Sequence, residues 1–236
     1  MTIQSMTTDE LTNEIELGST TFSEAQFEQM TLPASLDDLT FEHCRFIECN
    51  FSSSSMTNTR FEHCQFYHEA SEVGSAFRYC NLSHAIFSDC DLRHCDFSQA
   101  NWYDLALSNC RGLEMISRGV SNQKWVNERV CLQALHIQRS DLTLSDFSYA
   151  QLGESTLHDC RCSEVDWTEA NLAGSQIIQC DLTGGQFDRV TIGNADLSES
   201  LFNSIDIRQI DVERVRVTSD QLPLLVSALG LVITDL

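Results

Sequence analysis

Residues 77–107 read FRYCNLSHAIFSDCDLRHCDFSQANWYDLAL, with a large apolar side chain at every fifth position: Phe77, Leu82, Phe87, Leu92, Phe97, Trp102 and Leu107. An α-helix cannot use this period, because 3.6 residues per turn would scatter the apolar positions around the whole cylinder. A short extended side followed by a turn can. Taking the apolar residue as position i, position i−2 is small or apolar in the same stretch: Cys80, Ala85, Cys90, Cys95 and Ala100. Side chains two apart share one face of an extended segment, so i−2 and i point inward while i−1, i+1 and i+2 meet water.

Outward from this stretch the phase resumes at Leu132 and runs through Ile137, Leu142, Phe147 and Leu152 as far as Val217. An offset run upstream holds Leu36, Phe41, Phe46, Phe51, Met56, Phe61 and Phe66, and a first run holds Phe22, Phe27 and Leu32, with a phase slip at Pro33. Between Val130 and Val217, i and i−2 make up 36 of 88 positions, yet none of the 20 charged residues falls there. Random placement would give that roughly once in tens of thousands of trials. Four such sides close a square coil of about 20 residues, and coils stack at the ~4.8 Å strand spacing.

The units CNLSH (80–84), CDLRH (90–94), CDFSQ (95–99), ANWYD (100–104), ANLAG (170–174), CDLTG (180–184) and ADLSE (195–199) resemble the A(D/N)LXX pattern of the pentapeptide-repeat family. The resemblance implies an all-β chain, a right-handed quadrilateral β-helix over residues 20–217. Residues 1–19 stand outside it, two loops project (about 67–76 and 112–129), and residues 218–236 form a short C-terminal α-helix and tail. Nine of the eleven cysteines fall at i−2, and the pairs Cys44/Cys64, Cys90/Cys110 and Cys160/Cys180 are twenty apart, so they stack coil on coil. Small buried thiols pack well at such positions, and the reading is packing rather than a disulfide or metal ladder.

The chain has 236 residues, with 35 acidic and 14 basic side chains and a net charge of −21. That balance repels DNA and anionic lipid, and favours a partner protein with a basic surface. No 18-residue apolar run is present, so no membrane span is expected. The N-terminal MTIQSMTTDELTNEIELG has neither a basic nor an apolar signal region. Together with the many cysteines this points to a cytoplasmic protein. No G-x-S-x-G, H-E-x-x-H or glycine-rich phosphate loop occurs, so neither catalysis, cofactor nor metal is expected.

Two breaks in the period stand out. Residues 67–76, YHEASEVGSA, make the step from Phe66 to Phe77 eleven rather than ten, read as one extra residue, and offer Tyr67, His68, Glu69, Glu72 and Val73 as partner contacts. In residues 112–129, GLEMISRGVSNQKWVNER, the i positions fall on Gly112, Ser117, Asn122 and Asn127, which cannot fill an apolar interior. This stretch is therefore read as a projection offering Met115, Ile116, Arg118, Lys124, Trp125 and Arg129. Residues 111–130 carry a net +2, and Lys124 is the only lysine in the chain. At the C-terminus, Leu222, Leu225, Val226 and Leu229 share a helix face, Gly230 is a stop signal, and Leu231 and Ile233 extend the apolar tail. So short a helix must bury its face, and a two-fold homodimer is the preferred reading.

About one negative charge per 2 Å of a rod near 40 Å long would approach the one per ~1.7 Å of duplex DNA. The i−1 carboxylates Asp91, Asp96, Asp141, Asp146, Asp166, Asp181, Asp196, Asp206 and Asp211 are read as the outward acidic face of such a DNA mimic. The segment CQFYHEASEVGSAF (64–77), the 112–129 break and the ending LLVSALGLVI (224–233) are similar to the Qnr-type quinolone-resistance branch of the family. That resemblance implies a homodimer that binds DNA gyrase or topoisomerase IV and protects it from quinolones. Two alternatives are an immunity factor against a gyrase-targeting peptide toxin and a scaffold for another basic protein.

Overall fold

Most corners of the second, third and fourth sides repeat one β-turn. The carbonyl of position i accepts the N–H of residue i+3, as in Phe51–Ser54, Leu92–Cys95 and Trp167–Ala170. The residue at i+2 has positive φ, for example Ser53 (67°), His94 (54°) and Glu169 (57°), as the third residue of a type II turn requires. Residues with a Cβ adopt this region at a cost, Asn, Asp and His most readily. A side chain at i−1 offsets part of it by accepting the N–H of i+1: Asp146 from Ser148 (2.8 Å), Asp166 from Thr168 (2.8 Å), Asn101 from Tyr103 (3.0 Å). The D/N of the repeat is thus a turn cap.

The computed structural model describes residues 4–203, 205–227 and 229–231. They form a right-handed four-sided β-helix of about nine coils. The first side of successive coils is a parallel eight-stranded sheet running from Thr21–Ser23 to Gln176–Ile178, while the second, third and fourth sides pair largely through single bridges. Counting from Phe22, the four sides bring Phe22, Phe27, Leu32 and Leu36 beneath Phe41, Phe46, Phe51 and Met56.

Register identifies each irregularity. Thr31 pairs with Asn50, nineteen residues on, so the corner at Pro33 lacks one residue. Asn50 pairs with Ala76 and Arg60 with Ile86, twenty-six on, so the first loop inserts six residues and not one. Leu105 pairs with Leu135, thirty on, so the second inserts ten.

Stacking in register makes the core columnar. Phe51, Phe77 and Phe97 lie 4.5 Å apart with planes within 7°, and Phe27, Phe46 and Phe66 repeat this at 4.8 Å. Neighbouring columns meet edge to face, as Phe87 meets Phe97 at 6.2 Å. The i−2 thiols are sealed in the wall, where burial pushes Cys49 and Cys80 up to about 12 and keeps them protonated. They act as small apolar side chains.

The second break is shorter than its sequence implies. Gly112, Ser117 and Asn122 are inside the coil, and the space they leave is taken by Met115 and Val120 at i−2, both fully buried. Large and small have exchanged columns. A Cβ on Gly112 would lie 3.1 Å from Leu142 Cδ2, so the missing side chain is what admits its neighbours. Leu132 and Val130, by contrast, are 43% exposed on a projecting hairpin and are not core.

Both ends are covered. Helix α1 (Thr8–Glu16) starts at a capping box between Thr7 and Glu10 and buries Leu11, while Gln4–Ser5 pairs with Ala25–Glu28. Residues 4–16 therefore belong to the folded unit. At the other end α2 (Leu222–Ser227) buries Leu225, and Gln221 Nε2 donates to the carbonyls of Leu197 (2.8 Å) and Ser200 (2.6 Å).

Phe97→Ala removes a ring with stacked and edge-on neighbours from a site 1% exposed. It should cost about 3–5 kcal/mol in urea unfolding. An unchanged midpoint would contradict the columnar core.

Candidate partner-binding surface

The two loops leave diagonally opposite corners, the first after the second side and the other after the fourth. In the first, Tyr67–His68 pairs antiparallel with Val73–Gly74. The Arg93 guanidinium lies 4.1 Å above the Tyr67 ring and reaches Asp91 (2.5 Å) and Glu69 (3.2 Å). His68 Nδ1 is 2.9 Å from Ser71 Oγ and 3.4 Å from Glu48. Tyr67 and His68 are thus half-buried against the wall, and Glu69, Glu72 and Val73 are left exposed. A Cβ on Gly74 would come within 2.4–2.5 Å of the backbone of Arg93, His94 and Cys95, so only glycine permits this close docking.

The other projection is a hairpin, Gln123–Asn127 against Val130–Gln133, with a bulge between Trp125 and Asn127. Asn127 Oδ1 closes its turn by accepting the N–H groups of Arg129 (2.9 Å) and Val130 (3.0 Å). Buried Asn122 ties its base to the next coil, Nδ2 donating to Gly153 O (2.7 Å) and Ser155 Oγ (3.1 Å). Lys124 Nζ rests 4.9 Å above the Tyr103 ring. Trp125 is 64% exposed and Val126 59%, with Val130 and Leu132 beside them. Such a group on a projecting hairpin has the composition of a protein contact.

Of the six residues read as one projection, Lys124, Trp125 and Arg129 are on the hairpin. Met115 is fully buried and cannot touch a partner; it fills the coil because its i−2 side chain replaces the apolar group missing at Ser117. Ile116 and Arg118 stand on the third side, Ile116 40% exposed and the Arg118 guanidinium 4.7 Å over Tyr149. Val126, Val130 and Leu132 are further contact candidates; Val126 lies within the stretch read as a projection, while the five-residue phase assigned Val130 and Leu132 to the interior. The thirty-residue step from Leu107 to Ile137, ten beyond a coil, was the signal for them.

The carboxylates divide similarly. Asp96 and Asp196 are only 9% and 8% exposed, so they are not part of an outward acidic face. Burial opposes ionisation of Asp96, but hydrogen bonds from Ser98 and the Arg78 guanidinium hold its carboxyl below the usual range. Asp91, Asp141, Asp146, Asp166, Asp181 and Asp206 are half-buried caps, and Asp211 is exposed. On the second side Asp91, Arg111, Asp141, Arg161 and Asp181 stack with alternating sign. Nor is the acidity uniform: residues 1–76 hold 13 acidic and 2 basic side chains, residues 77–193 hold 15 and 9. The DNA-like excess lies in the N-terminal coils.

Leu222, Leu229 and Leu231 are exposed, Val226 is half-buried, and Leu225 packs into the coil end; Ile233 lies outside the described residues. Among the described residues no three His, Cys, Asp or Glu side chains converge as metal ligands, and no helix is long and apolar enough to cross a membrane. An open groove of about 870 Å³ along the corner between the first and second sides is lined by Arg111, Arg139, Asp141, Asp159 and Arg161.

Gly74→Ala should lift the first loop off the wall. The expected result is faster proteolytic cleavage within residues 67–74 with the melting temperature nearly unchanged; equal cleavage rates would contradict the docking.

The model of the pentapeptide repeat region matches residues 39–115, and that of pentapeptide repeats (8 copies) matches residues 155–192. The chain is 30% identical over 129 residues to quinolone resistance pentapeptide repeat protein QnrB96 of Scandinavium goeteborgense, covering 55% of this chain and 58% of that one. It is 30% identical over 134 residues to pentapeptide repeat protein QnrB4 of Escherichia coli, 57% and 60% respectively. The chain spans about three fifths of the length of these relatives. Among solved structures, full-length QnrB1, a plasmid-mediated fluoroquinolone resistance protein, superposes with a TM-score of 0.65 at 26% identity, over 88% of this chain and 100% of that chain. A trypsin-treated variant of QnrB1 gives a TM-score of 0.72 at 24% identity, over 92% and 100%, a likeness of fold.

Proposed function

We propose, on the premise that the chain belongs to the pentapeptide-repeat proteins, that it binds a type II topoisomerase, DNA gyrase or topoisomerase IV, and protects it from quinolones. The observation that carries this reading is the hairpin. It raises Trp125, Val126, Val130 and Leu132, with Lys124 and Arg129, from the wall of an otherwise acidic rod. Exposed aromatic and apolar groups supply short-range affinity, because burying them on a partner removes apolar surface from water. The acidic N-terminal coils supply the long-range part: a rigid array of carboxylates is attracted to a basic groove that otherwise holds duplex. No bond is made or broken in this role. Protection acts by competing with, or destabilising, the drug-trapped complex.

The exposed Leu222, Leu229 and Leu231 are proposed as the seam of a homodimer at the C-terminal end. Leu229→Glu should halve the mass found by sedimentation equilibrium, and an unchanged mass would remove this seam.

Gyrase supercoiling in the presence of ciprofloxacin tests the main reading. The chain should restore supercoiling at drug concentrations that otherwise abolish it. Excising residues 124–133, which returns the step from Leu107 to Ile137 to one coil, should abolish this protection with an unaltered β-type circular dichroism spectrum. Drug inhibition that is the same with and without the intact chain would refute the proposal.

A further inference from the structure

We propose that the partner seats astride the corner between the fourth and first sides, around the hairpin, on two wall faces that carry no charge. Between Asn81 and Gly193 the outward i−1 and i+1 side chains of these two sides include no Asp, Glu, Lys or Arg. Over the same residues the second and third sides carry eleven, among them Asp91, Arg93, Arg111, Asp141, Asp146 and Asp166. In their place the fourth side has Asn81, Asn101, Gln151 and Asn171, and the first has Ile86, Ala106 and Thr156.

The coil does not impose this segregation. Asn101 and Asn171 cap fourth-side turns by the same hydrogen bond with which Asp141, Asp146 and Asp166 cap second- and third-side turns. Nor is it forced by repulsion between stacked carboxylates, since Asp146 and Asp166 pair directly in adjacent coils. The ridge from which the hairpin rises holds two acids: Asp104, which lies 2.8 Å from His84 and 3.6 Å from His136, and Glu154.

Loss of charge marks the central part of protein interfaces. Six coils at ~4.8 Å and two sides of about 10 Å enclose roughly 600 Å² of planar wall. With the hairpin added, this approaches the ~800 Å² per partner of a standard interface. Continuity with the hairpin selects the occupant: the protein that the hairpin engages, through an uncharged surface of hydrogen-bonding groups. This deepens the topoisomerase reading and rests on it.

The test exchanges charge without altering the turn caps. Binding to immobilised DNA gyrase holoenzyme is measured by interferometry at one salt concentration. Asn101→Asp/Asn171→Asp, and the same pair with Thr156→Glu, keep the caps and make the rod more DNA-like, yet should weaken binding at least tenfold. Asp141→Asn/Asp146→Asn/Asp166→Asn removes three carboxylates from the opposite half and should change affinity less than threefold. Asn101→Ser/Asn171→Ser, with no added charge, should bind as the native chain does, and the melting temperature of each variant separates misfolding from lost contact. Tighter or unchanged binding by the Asp variants, or a large loss with the Asn triple, would overturn the proposal. So would a change in sedimentation mass on charging these faces, which would assign them to a second copy of the chain. A native chain that does not bind gyrase would remove this proposal and the topoisomerase reading together.

Discussion

Every coil must lay each of its residues over the equivalent residue of the coil before it, because the backbone of one is the hydrogen-bond partner of the next. Phe97 N–H donates to Ile116 O, and Ile116 N–H to Cys95 O, and so on through the wall. Stacking in register leaves a side chain no choice of neighbour: it meets what the sequence holds one coil earlier and one later. Rings that match stack at 4.5–5.3 Å, thiols sit above thiols, and amides bond along the axis, Asn101 Nδ2 to Asn81 Oδ1 at 3.1 Å. The same rule lets charges be sorted by side.

An irregularity is tolerated only at a corner, where a chain can leave and return without shifting the columns. The missing residue at Pro33, the six-residue loop and the ten-residue hairpin all obey this, since pairing resumes in phase after each. The two insertions differ in what holds them. The first is pressed onto the wall by Gly74 and by Arg93 over Tyr67, whereas the second is fastened only at its base and keeps its apolar groups in solvent. That difference, more than their sequences, separates a folded-back loop from a projecting one.

Rod and function connect through charge as well as shape. The carboxylates first serve the turns, and two of them are buried in doing so. What remains outward is concentrated in the N-terminal coils, while in the middle of the rod the second and third sides are charged and the faces of the fourth and first are not, Asp104 and Glu154 standing on the ridge between them. A partner would meet attraction at one end and close contact at the hairpin. The thiol column packs the wall: its sulfurs are buried.

The five-residue period by itself pointed to the coil and to its inward positions from Phe22 to Leu107 and from Ile137 to Leu197, because an α-helix cannot place every fifth side chain on one interior. The Asp and Asn at i−1 were visible as a repeat, but their role as turn caps came from the hydrogen bonds of the structure. Helix α1 lies in residues 1–19, outside the period, and it is the structure that brings Thr7 and Glu10 together as its capping box. Only the tertiary structure decided where each loop begins and ends. Met115 and Val120 replace Ser117 and Asn122 in the core, an exchange between columns that a one-dimensional phase cannot register. Likewise Val130 and Leu132 match the apolar period yet stand in solvent, since a hairpin of ten residues preserves a five-residue phase while leaving the coil. Which carboxylates face outward, and which sides stay neutral, depends on the accumulated length of both insertions, and that is set by pairing between coils rather than by any local run of residues.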